Sequence, residues 1–176
     1  MTSTLQVQTL QGPTSGADSN TIRVADNHKL YAKGHVVQVQ TYHVGDLSGD
    51  ISTTSDAFID SGCTVTITPQ FSNSLIVCYF VSPVSMVAYN AATDLKTRLL
   101  LNSVQYGGLH TTGYMRRSST TINSYQPTVF KTVHTTLAAG TAVEFKVQFK
   151  SDVSGQKVVL AYDHSSITMT LTEIAQ

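Results

Sequence analysis

Two aspartates beside a glycine form the first candidate for chemistry in this sequence. The segment Asp46-Leu47-Ser48-Gly49-Asp50 offers two carboxylates, a hydroxyl and several backbone carbonyls. A Ca²⁺ ion takes about six to eight oxygen ligands, usually with several carboxylates among them, so the segment matches a calcium site only weakly. An ordinary turn, in which each aspartate bonds its own backbone, explains the same residues. We therefore expect a turn here and no metal.

Histidine and cysteine are the other residue types that could bind a metal. The six histidines are scattered, and His35 and His43 would stand roughly 26 Å apart along one strand. Cys63 and Cys78 lack the C-x-x-C spacing of a zinc site and have no histidine pair beside them. Both lie in apolar runs and are predicted to be buried thiols. A disulfide is the alternative if their strands are neighbours.

The sequence contains none of the common catalytic motifs. A G-x-S-x-G elbow, a phosphate-binding loop and an H-E-x-x-H zinc motif are all missing. The two glutamates, Glu144 and Glu173, lie in different predicted strands, and nothing pairs them for glycoside hydrolysis. We therefore expect a non-enzymatic protein with no catalytic residue and no cofactor. A glycan-degrading enzyme remains the alternative from another functional class.

The segment from Gly107 to Arg117 (GGLHTTGYMRR) has the composition of a contact loop. Tyrosine, methionine and arginine are enriched at protein interfaces, and loops on a rigid scaffold often carry function. A host-surface glycan or protein is the partner we would expect. A solvated hairpin tip without a partner explains the composition equally well. The candidate contact residues are His110, Tyr114, Arg116 and Arg117.

The chain has few charges for its length of 176 residues. Only 12% of the residues are charged, against roughly 25% in soluble domains, and 11 basic residues balance 11 acidic ones. Arg116-Arg117 is the one adjacent basic pair, too little to bind nucleic acid through phosphate contacts. The first residues lack the basic and apolar regions of a signal peptide, and no apolar run reaches the roughly 18 residues of a membrane span. We expect a protein that folds in a cytoplasm.

Residues 1–34 form a segment of their own character. Short alternating pieces are interrupted by Gly12-Pro13-Thr14-Ser15-Gly16, a cluster typical of chain breaks. None of the pieces has enough apolar residues to form a core, so we predict an extended N-terminal arm that needs a partner surface. A disordered tail is the alternative. The apolar residues that would contact the partner are Leu5, Val7, Leu10, Ile22, Val24, Leu30 and Tyr31.

Residues 35–176 follow a pattern of strands and turns without helical periodicity. The clearest strand is Ala142–Lys150, in which Val143, Phe145, Val147 and Phe149 alternate with polar residues. The continuous apolar run Leu75–Val81 predicts a strand buried on both faces. Polar loops are expected at 46–56 and 106–124. The other predicted strands are His35–Val44, Cys63–Thr68, Lys96–Leu101, Thr128–Thr136, Lys157–Tyr162 and Ser166–Ile174.

Strands that are short and regularly spaced indicate two packed sheets. Roughly eight strands suit a jelly roll, which is built from two Greek keys. We therefore predict an all-β chain, with a jelly-roll-like antiparallel β-sandwich at 35–176 preceded by the extended arm. Alternating apolar residues would fill the space between the sheets.

Several segments of the sequence resemble structural proteins of tailed phages, particularly aquatic ones. The opening STLQVQTLQ and the glycine-initiated strand Gly34–Val39 are similar to the start of those proteins. Phe58–Pro69, followed by Asn73–Val77, resembles their run "(y/f)-x-D-x-G-x-x-x-x-I-T-P … S-S-K-I-x-V". Leu75 departs from it, because lysine is usual there. The closing Ser166–Ile174 resembles their final strand, which ends in "E-I".

The resemblance implies a virion protein whose jelly-roll-like domain assembles as a trimer. Such proteins decorate capsids as cement proteins or form tail fibres and spikes. On this hypothesis the arm would bind the major capsid protein or a tail protein, by strand addition for instance. A receptor-binding module of the tail is the alternative. Aromatic residues that could pack about a threefold axis are Tyr79, Phe80 and Phe130, if they are not core residues.

Overall fold

The chain folds into β-strands joined by turns and loops. The computed structural model describes residues 32–87, 93–112, 124–134 and 137–176, and for 83–87, 110–112 and 124–134 it describes the backbone alone. Within these residues there are ten strands and no helix, so no helix is long and apolar enough to cross a membrane. The strands are β1 (Val36–Val44), β2 (Ile51–Thr53), β3 (Ile59–Ile67), β4 (Leu75–Val87), β5 (Leu95–Leu101), β6 (Val104–Thr112), β7 (Ser124–His134), β8 (Val143–Ser151), β9 (Val158–Ala161) and β10 (Ile167–Ile174).

Two antiparallel sheets make up the fold. Sheet A has the order β1-β10-β4-β7, and β9 pairs with the far end of β4 and with β2. Sheet B has the order β3-β8-β5-β6. The chain passes from one sheet to the other between most successive long strands, and only β5 and β6 form a hairpin within sheet B. This order is that of a jelly roll, so the predicted all-β sandwich is confirmed.

The core lies between the sheets and follows the alternation of the strands. Along β8 every second residue is buried, from Val143 to Phe149, as predicted. The same rule places Cys63, Val65 and Ile67 of β3 inside. Burying these side chains removes apolar surface from water, which stabilises the fold by roughly 25 cal/mol per Å². The cluster is completed from sheet A by Ile76, Cys78, Phe80, Val158, Leu160, Ile167, Met169 and Leu171.

Three predicted features of the strands were wrong. The loop predicted at 46–56 contains the short strand β2, and the loop predicted at 106–124 contains most of β6. Strand β4 continues through Pro83 to Val87, with a shift of register between Ser82 and Ser85. Proline donates no hydrogen bond, and sheets accommodate it at such irregular positions.

A two-residue turn joins β5 to β6. Asn102 and Ser103 both have positive φ angles, 46° and 67°, and Leu101 pairs with Val104. Two successive left-handed residues match the right-handed twist of a hairpin. The Asn102 side chain accepts a bond from the Glu144 N–H at 2.9 Å, and its own N–H donates to the Glu144 carbonyl at 2.9 Å. The turn is thereby attached to the start of β8.

The predicted N-terminal arm lies outside the described residues up to position 31. Lys33–Gln176 forms one compact unit. The division at residue 34 into an arm and a sandwich therefore stays a prediction.

Candidate interaction surfaces

On the outer face of sheet A, three neighbouring strands, β1, β10 and β4, have outward side chains that the structure describes. None of these side chains is acidic, and none is a lysine or an arginine. Pairing aligns these positions in rows, such as Val39–Thr172–Val77 and Thr41–Thr170–Tyr79. We call this the uncharged face. Its residues are Val36, Val39, Thr41 and His43 of β1, Thr168, Thr170, Thr172 and Ile174 of β10, and Leu75, Val77, Tyr79 and Val81 of β4.

Apolar side chains on the uncharged face are open to solvent. Val36 is 53% exposed, Val39 is 52% exposed and Tyr79 is 45% exposed. Two polar side chains of the face bond one another, His43 Nδ1 and Thr168 Oγ1 at 2.8 Å. Tyrosine is enriched and charge is depleted at the centre of protein interfaces, so this face has the composition of a contact surface.

The outer face of sheet B is different, because charged side chains alternate along it. Lys146 of β8 lies 3.6 Å from the Glu144 carboxylate and 3.7 Å from that of Asp60. The Arg98 guanidinium bonds Gln148 Oε1 at 2.6 and 2.9 Å and stacks 4.1 Å from the centre of the Phe58 ring. We call this the charged face. Its charged residues are Asp60, Lys96, Arg98, Glu144, Lys146 and Lys150.

The free-energy cost of removing each face from water differs between the charged and the uncharged face. Removing paired charges from water costs several kcal/mol per ion before their mutual attraction is counted. Burying threonine, valine and tyrosine carries no such penalty and gains hydrophobic free energy. A partner is therefore accommodated more readily on the uncharged face, while the charged face suits solvent.

The three aromatic residues proposed for a threefold axis lie in different environments. Tyr79 lies on the uncharged face, where it is available to a partner. Phe80 is fully buried in the core, which is the alternative that the sequence had left open, so it is not available to pack about an axis. Its side chain follows that of Tyr79 by one position and therefore points to the opposite side of the strand. The side chain of Phe130 lies outside the described residues, and its backbone pairs with Phe80.

The structure describes few of the residues predicted to make contacts. All seven arm residues, from Leu5 to Tyr31, lie outside the described residues. So do Tyr114, Arg116 and Arg117 of the predicted contact loop. The backbone of His110 is described, and it lies in β6 opposite Thr97 of β5 rather than in a loop. The positions of the uncharged face were not singled out from the sequence as a group.

The aspartates of the 46–50 segment do not converge on one point. Asp50 accepts bonds from Lys157 Nζ at 2.8 Å and from the Asp163 N–H at 3.1 Å, and Asp46 contacts His164 Nδ1 at 2.9 Å. The bond from Lys157 lowers the pKa of Asp50, although burial acts against it. These contacts join the segment to Lys157, just before β9, and to the β9–β10 connection. Across the described residues, no three His, Cys, Asp or Glu side chains form a group that could hold a metal.

Both cysteines are buried in the core, and neither is in a disulfide. Cys63 belongs to sheet B and Cys78 to sheet A. Burial, together with the neighbouring Cys78, raises the pKa of the Cys63 thiol to about 12. The thiolate is the reactive form of cysteine, so Cys63 is chemically inert at neutral pH.

A buried glutamate is the feature that sequence reasoning missed. Glu173 of β10 has no exposed surface. Its carboxylate accepts bonds from Gln38 Nε2 at 2.6 Å, from the Gln70 N–H at 2.8 and 3.0 Å, and from the Phe71 N–H at 3.1 Å. Alternation of β10 could have found it, because Ile167, Met169 and Leu171 point inward and Glu173 continues that series.

Burial and hydrogen bonding act in opposite directions on the pKa of Glu173. Burial raises this pKa. The hydrogen bonds from Gln38, Ser74 and the N–H groups of Phe71 and Gln70 lower it, and their combined effect is larger, so the pKa lies below its usual value. Glu173 is therefore held as a carboxylate. The other glutamate, Glu144, belongs to sheet B and is partly exposed on the charged face.

Comparison with known proteins gives structural similarity without a family. No known protein family matches the sequence, and no curated protein matches it. Among solved structures, dimeric latent PorU from Porphyromonas gingivalis is 11% identical with a TM-score of 0.47, over 89% of this chain and 15% of that one. The VP2 subviral particle of infectious bursal disease virus is 12% identical with a TM-score of 0.44, over 93% of this chain and 40% of that one.

A third similar structure is closer to this chain in length. Eiger TNF from S. frugiperda is 13% identical with a TM-score of 0.37, over 78% of this chain and 92% of that one. The chain thus spans well under half the length of the PorU and VP2 chains.

Proposed function

We propose that this chain is a non-enzymatic structural protein of a virus particle, a trimeric capsid decoration protein of a tailed phage. In this role the sandwich domains associate through their uncharged faces, and residues 1–34 bind the capsid. The resemblance of the opening, central and closing segments to tailed-phage structural proteins supports the phage part of the proposal.

The single observation that carries the proposal is the contrast between the two outer faces. A protein that works alone in solution gains from charge on both faces of its sandwich, because charge opposes aggregation. Here sheet B has alternating charges, while the outward positions of β1, β10 and Leu75–Val81 have none. That contrast supports an assembly in which the part of sheet A made by β1, β10 and Leu75–Val81 is covered and sheet B remains in solvent. In the adjoining strand β7, Lys131 pairs with Tyr79 and would border the covered part.

The N-terminal arm completes the proposed role. An extended segment with few apolar residues gains little by packing on itself, and strand addition to a partner satisfies its backbone hydrogen bonds. The arm would then supply the contact with the major capsid protein, while the sandwiches contact one another. The finished particle is the location that we propose for the chain.

Deletion of residues 2–33 tests the proposal against its alternative. Particles lacking the protein are incubated with the purified full chain or the deletion variant and then sedimented. If the protein decorates capsids, the full chain should sediment with the particles, and the deletion variant should not. A receptor-binding module of a tail would instead bind host cells with or without the arm. Failure of the full chain to bind either particles or cells would contradict both functions.

A further inference from the structure

The residues that connect the arm to the sandwich are held by the end of the last strand. The Gly34 N–H donates to the Ala175 carbonyl at 2.7 Å, and the Ala175 N–H donates to the His35 carbonyl at 3.0 Å. Val36 pairs with Ile174, and a shift of register then brings Gln38 opposite Glu173. We call residues 33–38 the arm root.

Gln38 is the side chain that connects the arm root to two other parts of the fold. Its Nε2 donates to Glu173 Oε2 at 2.6 Å and to the Thr68 carbonyl at 2.7 Å. The same carboxylate accepts the N–H groups of Gln70 and Phe71, in the connection from β3 to β4. One buried carboxylate thus joins β1, β10 and the β3–β4 connection.

From this geometry we propose that Glu173 is an acid-releasable latch that fixes the arm root to the sandwich. The inference rests on the proposed function of the arm as the capsid contact. In the ionised state both carboxylate oxygens accept N–H donors. Protonation leaves a hydroxyl that must itself donate, while every surrounding N–H still needs an acceptor. The contact at Gln38 then weakens, and the arm root opens while the core remains folded.

The segments that bond the Glu173 carboxylate, the start of β1 and residues 68–74, contain no ionisable side chain. The ionisable groups of the arm root are Lys33 and His35, which precede β1. Along β4, residues 75–82 have Cys78 and Tyr79 as ionisable groups, the first in the core and the second on the uncharged face. No described ion pair includes Glu173, so the N–H groups and the Ser74 hydroxyl stabilise the carboxylate as hydrogen-bond donors.

Hydrogen exchange of the purified full chain, followed by mass spectrometry from pH 7 to pH 3, tests the latch. Corrected for intrinsic rates, exchange of a peptide covering the arm root is expected to increase about tenfold or more below pH 4.5, because bonds to a charged group contribute about 1.5–3 kcal/mol. Peptides from β5 and β8 should keep their protection over the same range. Loss of protection in all peptides together would overturn the proposal, since it would indicate only global acid unfolding.

Two variants and a control separate the latch from a general charge effect. Glu173→Gln should exchange rapidly at the arm root at pH 7, with β8 still protected, and Glu144→Gln should behave as the unchanged chain. If Glu173→Gln does not fold, Gln38→Ala is the test of the latch. This variant removes the bond from Gln38 to Glu173 but leaves the carboxylate bonded to Gln70 and Phe71. An arm root as protected in Gln38→Ala as in the unchanged chain would contradict the latch. The exchange experiment needs no particle, so its failure is distinct from failure of capsid binding.

Discussion

Tyr79 and Phe80 are neighbours in β4, yet their side chains lie on opposite sides of sheet A. Phe80 is fully buried between the sheets, while Tyr79 is 45% exposed on the uncharged face. Tyr79 pairs with Thr170 of β10 on the outward side of the sheet, and Phe80 pairs with Met169 on the core side. One apolar run thus supplies both the core and an outward surface.

Alanine at each of these two positions should affect a different property. Phe80→Ala is expected to lower the free energy of unfolding by about 3–5 kcal/mol, because it leaves a cavity in the core. Tyr79→Ala should change the unfolding of the isolated subunit by less than about 1 kcal/mol and weaken self-association instead. Urea unfolding at a concentration where the subunits are separate measures the first quantity. Equal losses of stability in the two variants would refute the assignment of Tyr79 to a contact surface.

A charge placed on the uncharged face should prevent assembly. Val39→Lys brings like charges together between subunits, and such juxtaposition costs several kcal/mol, so association should weaken by at least about tenfold. Thr66→Lys adds the same charge to an exposed position of β3, on the charged face, and is the matched control.

Sedimentation at micromolar concentration compares the two lysine variants. The unchanged chain and Thr66→Lys should sediment as trimers, at three times the 19.0 kDa of one chain. Val39→Lys should sediment as a monomer. A monomer for the unchanged chain, or an unaffected trimer for Val39→Lys, would contradict association through the uncharged face.

Strands with strict alternation could be predicted from the sequence, whereas strands without it could not. In β8 and β10 the apolar residues recur at every second position, and those positions are buried. Strand β6 has Gly107 and Gly108 in its middle and a shift of register in its pairing with β5, so it lacks a local signal. Its existence depends on pairing with β5, which is a tertiary contact.

The apolar run of β4 shows a second limit of sequence reasoning. Leu75–Val81 has apolar residues at positions facing both sides, and this composition is typical of a strand covered on both faces. Among these residues only Ile76, Cys78 and Phe80 are buried in the folded chain, and Tyr79 is 45% exposed, so the prediction of burial on both faces was wrong. Local sequence cannot distinguish a strand covered by its own chain from one whose outward residues are available to another chain.

The free energy of unfolding should decrease as pH falls through the range in which Glu173 becomes protonated. The pKa of Glu173 is lower in the folded state than its usual value of 4.5. Its contribution to the free energy of unfolding is therefore complete above pH 4.5 and is lost as pH falls through the folded pKa. Urea unfolding from pH 6 to pH 3 should show this decline, with a smaller slope in Glu173→Gln. An unchanged slope in that variant would show that other groups cause the decline.

Relief of backbone strain should stabilise the β5–β6 turn. Ser103 has a φ of 67°, a conformation that costs residues with a Cβ about 1 kcal/mol and costs glycine little. Ser103→Gly should therefore raise the free energy of unfolding by about 0.5–1 kcal/mol. Asn102→Gly is the informative comparison, because it relieves the same kind of strain but removes the bond to the Glu144 N–H. Greater stability of Asn102→Gly than of Ser103→Gly would contradict this account of the turn.

Counting copies of the chain in purified particles tests our proposal that it is a structural component of a virus particle. If a phage encodes the chain, as we propose, quantitative mass spectrometry of its purified particles gives the number of copies per particle. The account predicts many copies, in a simple ratio to the major capsid protein and in multiples of three. A few copies per particle would place the chain in the tail. Its absence from purified particles, when it is abundant in the infected cell, would contradict the account.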